Sequence, residues 1–293
     1  MSTPRDEARG LSLVALSTLA YGVLPIFVKV AYAAGVTGIP MLAWRYGIAA
    51  ILIAATTRLP RLPLRDRARL WAIGFVFVFN SITYFRALET IPASVTALVL
   101  YTYPVIVTLL AAAAGVEPLT GRGLVAALAA FGGCALTAGG AGGRPLPAAG
   151  IAWALAAAFI YASYIVLSGR FGRGVPARVL ALHLAQVAAV ACAGLALAGP
   201  GLALPSDPRA WIAVAGCGVV STVVAMTAFL AGMAIVGPTR ASVLSSLEVI
   251  VTLALAAALL GERLAPLQWA GAALILGAVA FQNAPALRRV IRR

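Results

Sequence analysis

Charge is scarce in this sequence: only 10% of its 293 residues are charged, against roughly 25% in water-soluble domains. Acids are scarcer still, eight Asp and Glu against 22 Lys and Arg. The chain has one histidine, His183, and three cysteines, Cys134, Cys192 and Cys217. All three cysteines fall inside apolar runs with no CxxC spacing, so they read as small core residues rather than a metal site. No GxSxG or HExxH pattern occurs. Hydrolytic or group-transfer chemistry needs a nucleophile with its base, or clustered acids for a metal. These shortages argue against a membrane-embedded enzyme, and nothing calls for a cofactor or metal.

What is abundant is apolar surface, 62% of the chain, which makes lipid the expected solvent. A spanning helix needs about 20 apolar residues. Gly, Pro and Arg clusters divide the sequence into stretches at 11–33, 38–57, 68–88, 92–114, 120–138, 147–169, 176–198, 209–234, 238–260 and 266–283. The expectation is an all-α membrane protein of ten transmembrane helices, with no separate soluble domain. The first run is too long for a signal-peptide core and lacks a clear cleavage site, so it reads as an uncleaved first helix.

A net charge of +14 is also what a nucleic-acid footprint would produce, but its distribution excludes that. Sixteen arginines sort to the side of the N-terminus, against one Lys or Arg in each of the five opposite loops. That asymmetry is the positive-inside pattern, so both termini are expected in the cytoplasm. The partners expected are the lipid bilayer and a small-molecule substrate, with no nucleic acid and with a monomer as the working assembly.

The two halves, 1–141 and 142–293, resemble each other. Shifted by 144 positions, Val105–Leu109 meets the identical run Val249–Leu253, Ala97 meets Ala241 and Leu100 meets Leu244. One residue further out of step, Glu117 and Leu119 meet Glu262 and Leu264. Five helices per half is an odd number, so the second copy must lie inverted relative to the first. Inverted repeats are the plan of many secondary transporters, whose substrate site lies between the repeats.

At these segments the sequence resembles the drug/metabolite transporter superfamily, specifically the EamA family of ten-helix exporters. The resemblance is carried by LAWRYGIAA, YFRALETIPASVTALVLYTYPV, YASYIVLSGR and LEVIVTLALAAALLGERLAPLQWAGAALILGAV and runs over nearly the whole chain. It implies export of small organic metabolites from a bacterial inner membrane. Within the family the sequence is similar to the YddG group, which implies neutral or aromatic amino acids as substrates, with drugs such as organic cations as the alternative. It departs from the usual pattern at Tyr21-Gly22, often Trp-Gly, and at Val249, often proline.

Glu248 is the only carboxylate far from a span end. An acid at a helix centre costs about 2.5–3.5 kcal/mol on insertion scales, so its retention needs a reason. One reason is a wet cavity in which it meets a substrate ammonium or carries a proton; the other is a packing bond to Ser245 or to another helix. Ser242, Ser245 and Ser246 share a face of the ninth helix, and such hydroxyls either line the cavity or allow close packing. Asn80, Thr83 and Tyr84 share a face of the third helix, Ser94, Tyr101 and Thr108 one of the fourth, and the sixth carries Tyr161 and Tyr164. A tyrosine well inside a span brings a hydroxyl that needs a partner and a ring that stacks on aromatic or cationic groups. Substrate binding is thus expected at Glu248, Tyr101, Tyr84, Asn80, Tyr161, Tyr164, Ser245 and Ser246. Pro25 and Pro104 bend their helices, and with Gly22 they are the expected gating points of alternating access. Lys29 and Arg45 are expected to snorkel to the interface, with a substrate carboxylate as the alternative partner of Arg45, and His183 and Gln186 to bond a neighbouring helix.

Overall fold

The computed structural model describes residues 4–36, 38–58, 60, 62–113, 121–138, 146–172, 174–199, 201–202, 206–236, 241, 244–245 and 247–291. Among them there is no β-strand. The helices of the first half are α1 (Pro4–Gly22), α2 (Leu24–Ala33), α3 (Gly38–Thr56), α4 (Leu64–Thr90), α5 (Ala93–Leu100), α6 (Tyr103–Ala113) and α7 (Gly121–Ala138). Those of the second half are α8 (Ala148–Phe171), α9 (Ala177–Ala198), α10 (Pro208–Gly218), α11 (Ala225–Val236), α12 (Leu247–Leu260) and α13 (Pro266–Ile291).

Six stretches among the described residues are long and apolar enough to cross a bilayer: Arg5–Ala33, Gly38–Thr56, Leu64–Thr90, Ala148–Ser168, Ala177–Ala198 and Pro208–Val236. Four apolar helices are shorter: Ala93–Val107, Gly121–Thr137, Glu248–Leu260 and Pro266–Phe281. Each of the ten spans expected from the sequence meets one of these, and the order of three long and two short occurs twice. The outer surface is built for lipid: Val190 is 75% exposed, Ile51 71%, Leu197 70% and Ile212 69%. Without lipid, large apolar patches of this kind are rare on a soluble monomer.

Three spans that read as continuous are interrupted. The first breaks at Val23, leaving Pro25 in the first turn of α2. The fourth breaks at Tyr101 and Thr102, leaving Pro104 as the second residue of α6. Proline is tolerated in a first helical turn, where its missing N–H has no intrahelical partner to lose. The eighth passes from α10 to α11 through a π-helical turn, Val219–Val224, which inserts an extra residue and frees local carbonyls.

The most extensive packing runs between the halves: α7 along α13, α4 along α8, α3 along α9 and α1 along α11. The opposed ends of these pairs meet. Gly10 lies against Val236 while Gly216 lies against Phe27, and Arg122 bonds the Phe281 carbonyl while Gln268 bonds that of Thr137. Gly150 likewise lies against Ile91, and Arg178 bonds the Thr56 carbonyl, so each pair is antiparallel. Exchanging the halves returns the same set of contacts, α4 with α8 becoming the first span with the eighth. Between α7 and α13 the backbones touch: a Cβ at Gly133 would lie 2.7 Å from the Gly271 carbonyl, and one at Gly271 2.6 Å from that of Gly133. Small residues permit this approach, which drives helix association in lipid.

Candidate functional site

The helix breaks deliver side chains to a small cavity inside the bundle, of about 60 Å³. The break in the first span contributes Tyr21 and Leu24, and α3 contributes Arg45. Phe77, Asn80, Ser81 and Tyr84 come from α4, Leu100, Tyr101 and Tyr103 from the interrupted fourth span, Tyr161 from α8 and Glu248 from α12. Both halves therefore supply the wall.

Most of the lining is fixed by partners behind it. The Asn80 amide donates to the Ala157 carbonyl at 2.9 Å, which joins α4 to α8. Ser81 shares a short hydrogen bond with the buried hydroxyl of Tyr46. The Tyr101 hydroxyl lies 2.6 Å from both Glu248 Oε2 and the Ser245 carbonyl, tying the fourth span to the ninth. Tyr101 and Ser245 are 144 positions apart, the same offset that superposes the two halves of the sequence. Five rings then run in sequence: Tyr101–Tyr103 at 5.5 Å, Tyr103–Tyr161 at 4.8 Å, Tyr161–Tyr164 at 5.7 Å and Tyr164–Phe77 at 5.3 Å. Such edge and offset contacts are the favoured geometries of aromatic rings.

The breaks themselves are braced. Ser221, in the π turn, donates to the Ala20 carbonyl at 2.7 Å, and Thr252 donates to the Gly22 carbonyl at 3.0 Å. Carbonyls beside the interrupted ladder thus find hydroxyls from two other spans, as a buried polar backbone requires. Gly22 itself abuts α12, where a Cβ would stand 2.6 Å from Val251.

Of the residues singled out in the sequence, the structure brings Glu248, Tyr101, Tyr84, Asn80 and Tyr161 onto the cavity. Tyr164 stands one ring behind, between Tyr161 and Phe77. Ser245 is buried and contributes its carbonyl. Ser246 and Ser242 lie outside the described residues. Pro25 and Pro104 sit at the two breaks, the first of which follows Gly22. Tyr21, Phe77, Ser81 and Tyr103 line the cavity without having been read as its walls, and Arg45 lines it as its alternative reading had it.

Arg45 corrects an expectation: it does not snorkel but is 3% exposed, with Nε donating to Thr222 Oγ1 at 2.7 Å and its guanidinium 4.8 Å over the Tyr46 ring. Lys29 is half-buried and donates to the Ile91 carbonyl at 2.9 Å. His183 bonds the Val179 carbonyl of its own helix at 2.8 Å rather than a neighbour. No group of three or more His, Cys, Asp or Glu that would hold a metal occurs among the described residues.

Apolar helices with lipid-compatible surfaces, enclosing a polar, aromatic-walled chamber, define a multi-pass membrane transporter of small molecules. The chain belongs to the EamA-like transporter family, whose model matches residues 8–139 and 148–284, one copy in each half. It is 28% identical over 283 residues to the uncharacterized transporter YcbK of Bacillus subtilis (strain 168), covering 91% of this chain and 90% of that protein. The fold is also that of a crystallised protein 21% identical in sequence, at a TM-score of 0.70 over 98% of this chain and 99% of the other.

Proposed function

We propose that the protein exports neutral or aromatic amino acids across a bacterial inner membrane, by alternating access to the cavity between two inverted repeats. The observation that carries this reading is the chamber itself: a carboxylate, Glu248, held by Tyr101 at the end of a wall of tyrosine rings. Ring faces suit an apolar or aromatic side chain, and the carboxylate suits an ammonium. Glu248, Tyr101, Tyr84, Asn80 and Tyr161 are the proposed substrate contacts, with Tyr164 and Ser245 behind them. The same acid and rings also suit an organic cation through cation–π contact, which is the second reading.

Inversion is supported by the antiparallel pairing of spans from opposite halves, by five spans per half, and by contacts that survive exchange of the halves. The arginine asymmetry supports cytoplasmic termini. On the opposite side, two groups hold the turn before α5. Lys29 bonds Ile91, and Glu262 accepts from the Ala93 and Ser94 amides at 2.9 and 3.0 Å and from the Ser94 hydroxyl at 2.7 Å. A carboxylate on the first amides of a helix is a charged cap. Opening the cavity to the outside means releasing this clamp, with the breaks at Gly22–Pro25 and ahead of Pro104 as the bending points.

Uptake of labelled neutral amino acids by proteoliposomes tests the proposal. Saturable flux, inhibited by competing amino acids, is expected; no flux across a broad metabolite panel would sink it.

A further inference from the structure

Arg45 is the only charged residue of α3. Thr222 and the Ser221 carbonyl, at 2.7 and 3.4 Å, hold it from behind. Both acceptors belong to the π turn, and Thr222 is itself anchored to the Cys217 carbonyl five residues earlier. The rings of Tyr46 and Phe85 lie 4.8 and 5.6 Å from the guanidinium carbon. A guanidinium carries five N–H donors. Two of them are engaged here, and Nη1 makes no hydrogen bond among the described residues.

Across the same cavity stands Glu248, held through Oε2 alone by Tyr101. Among the described residues, no carboxylate lies within ion-pairing distance of Arg45 and no base within that distance of Glu248. They do not pair with each other, although both line the cavity together with Tyr21 and Tyr84. A buried guanidinium and a half-buried carboxyl group, neither with a charged partner among the described residues, face one chamber, and such groups are costly to keep. The arrangement is complementary to a solute carrying one charge of each sign.

We infer that Arg45 is a specificity-determining residue that binds the carboxylate of a zwitterionic substrate while Glu248 binds its ammonium. The inference rests on the transport reading above and decides between its two substrate classes. A simple organic cation satisfies Glu248 but meets an unpaired guanidinium, and a simple acid meets the reverse. Only a zwitterion compensates both walls, and the fork of an arginine matches a carboxylate two bonds at a time.

The test compares, in the same proteoliposomes, flux of labelled L-phenylalanine with that of phenethylamine, which keeps the ring and ammonium and lacks the carboxylate. Wild-type protein should prefer the amino acid by at least about tenfold, the lower range for charge-assisted hydrogen bonds. Arg45→Gln should bring the ratio toward one, and Arg45→Lys, which keeps the charge without the fork, should retain part of the preference. A merely structural arginine would lower both fluxes and leave their ratio unchanged, which would overturn the inference. Equal wild-type flux of the two solutes would also overturn it, needs no variant to fold, and leaves the transport reading standing. Flux of neither solute, nor of any other amino acid, would remove the transport reading and the inference together.

Discussion

Alanine at Gly22 is the smallest perturbation that should disable the protein. Its Cβ would stand 2.6 Å from Val251 Cγ1, 2.7 Å from Val251 Cβ and 3.3 Å from the Glu248 carbonyl. Rotation of Val251 removes the first clash but not the second, because Cβ moves only with the backbone. Carbon atoms pack at about 3.5–4.0 Å, so the break in the first span and α12 must separate by about 1 Å. The Thr252 bond to the Gly22 carbonyl, at 3.0 Å, lies in the same contact, and Glu248 lies one turn earlier, 2.6 Å from Tyr101. Overpacking of this kind costs about 1–3 kcal/mol. Gly22→Ala should therefore melt several degrees lower in detergent and lose at least about tenfold in initial transport rate, since misplacing binding groups by about 1 Å costs up to about a hundredfold in comparable sites. Gly22→Ala combined with Val251→Ala should recover much of both. A Gly22→Ala protein with wild-type melting and flux would refute the reasoning.

Other perturbations have equally definite outcomes. Glu248→Gln should abolish or strongly reduce saturable amino acid flux while leaving folding intact; unchanged flux would make Glu248 a packing residue. Tyr101→Phe removes the donor shared by Ser245 and Glu248 and should destabilise the protein by about 1–3 kcal/mol, measurable by thermal unfolding. Glu262→Ala leaves the first amides of α5 uncapped and should raise the reactivity of cavity positions toward reagents added outside, with little change from inside. Gly271→Ala sets a Cβ 2.5 Å from Thr137 Oγ1 and 2.6 Å from the Gly133 carbonyl, so the yield of folded protein should fall sharply.

The bundle was legible in the sequence because hydropathy and span length are properties of contiguous residues. The site was legible where an unbroken helix presents a face: Asn80 and Tyr84, four residues apart, do share the cavity. It was illegible where the helix breaks. On a continuous helix Tyr101 and Tyr103 point about 200° apart, and only the interruption at Tyr101 and Thr102 turns both rings inward. Tyr161 and Tyr164 followed the helical rule and still divided, one lining the cavity and one stacked behind it. For Arg45 the interfacial reading failed and the alternative, a place facing the substrate, remained, because apolar context alone sends an arginine to the interface whereas its anchor is a π turn 176 residues away, which no local pattern announces. Ser245 attracted notice for its hydroxyl, and the structure uses its carbonyl.

The central claim, a chamber open to one side at a time, is tested most directly by a single thiol in its wall. The native cysteines Cys134, Cys192 and Cys217 are buried and can be replaced by alanine, with Leu100→Cys as the reporter at a half-buried lining position. Membrane-impermeant maleimide is then applied to either face of oriented vesicles, with and without substrate. Alternating access predicts labelling from both faces, with substrate raising the rate from one as it lowers the rate from the other. Labelling confined to one face under every condition, or rates that rise together from both, would contradict it.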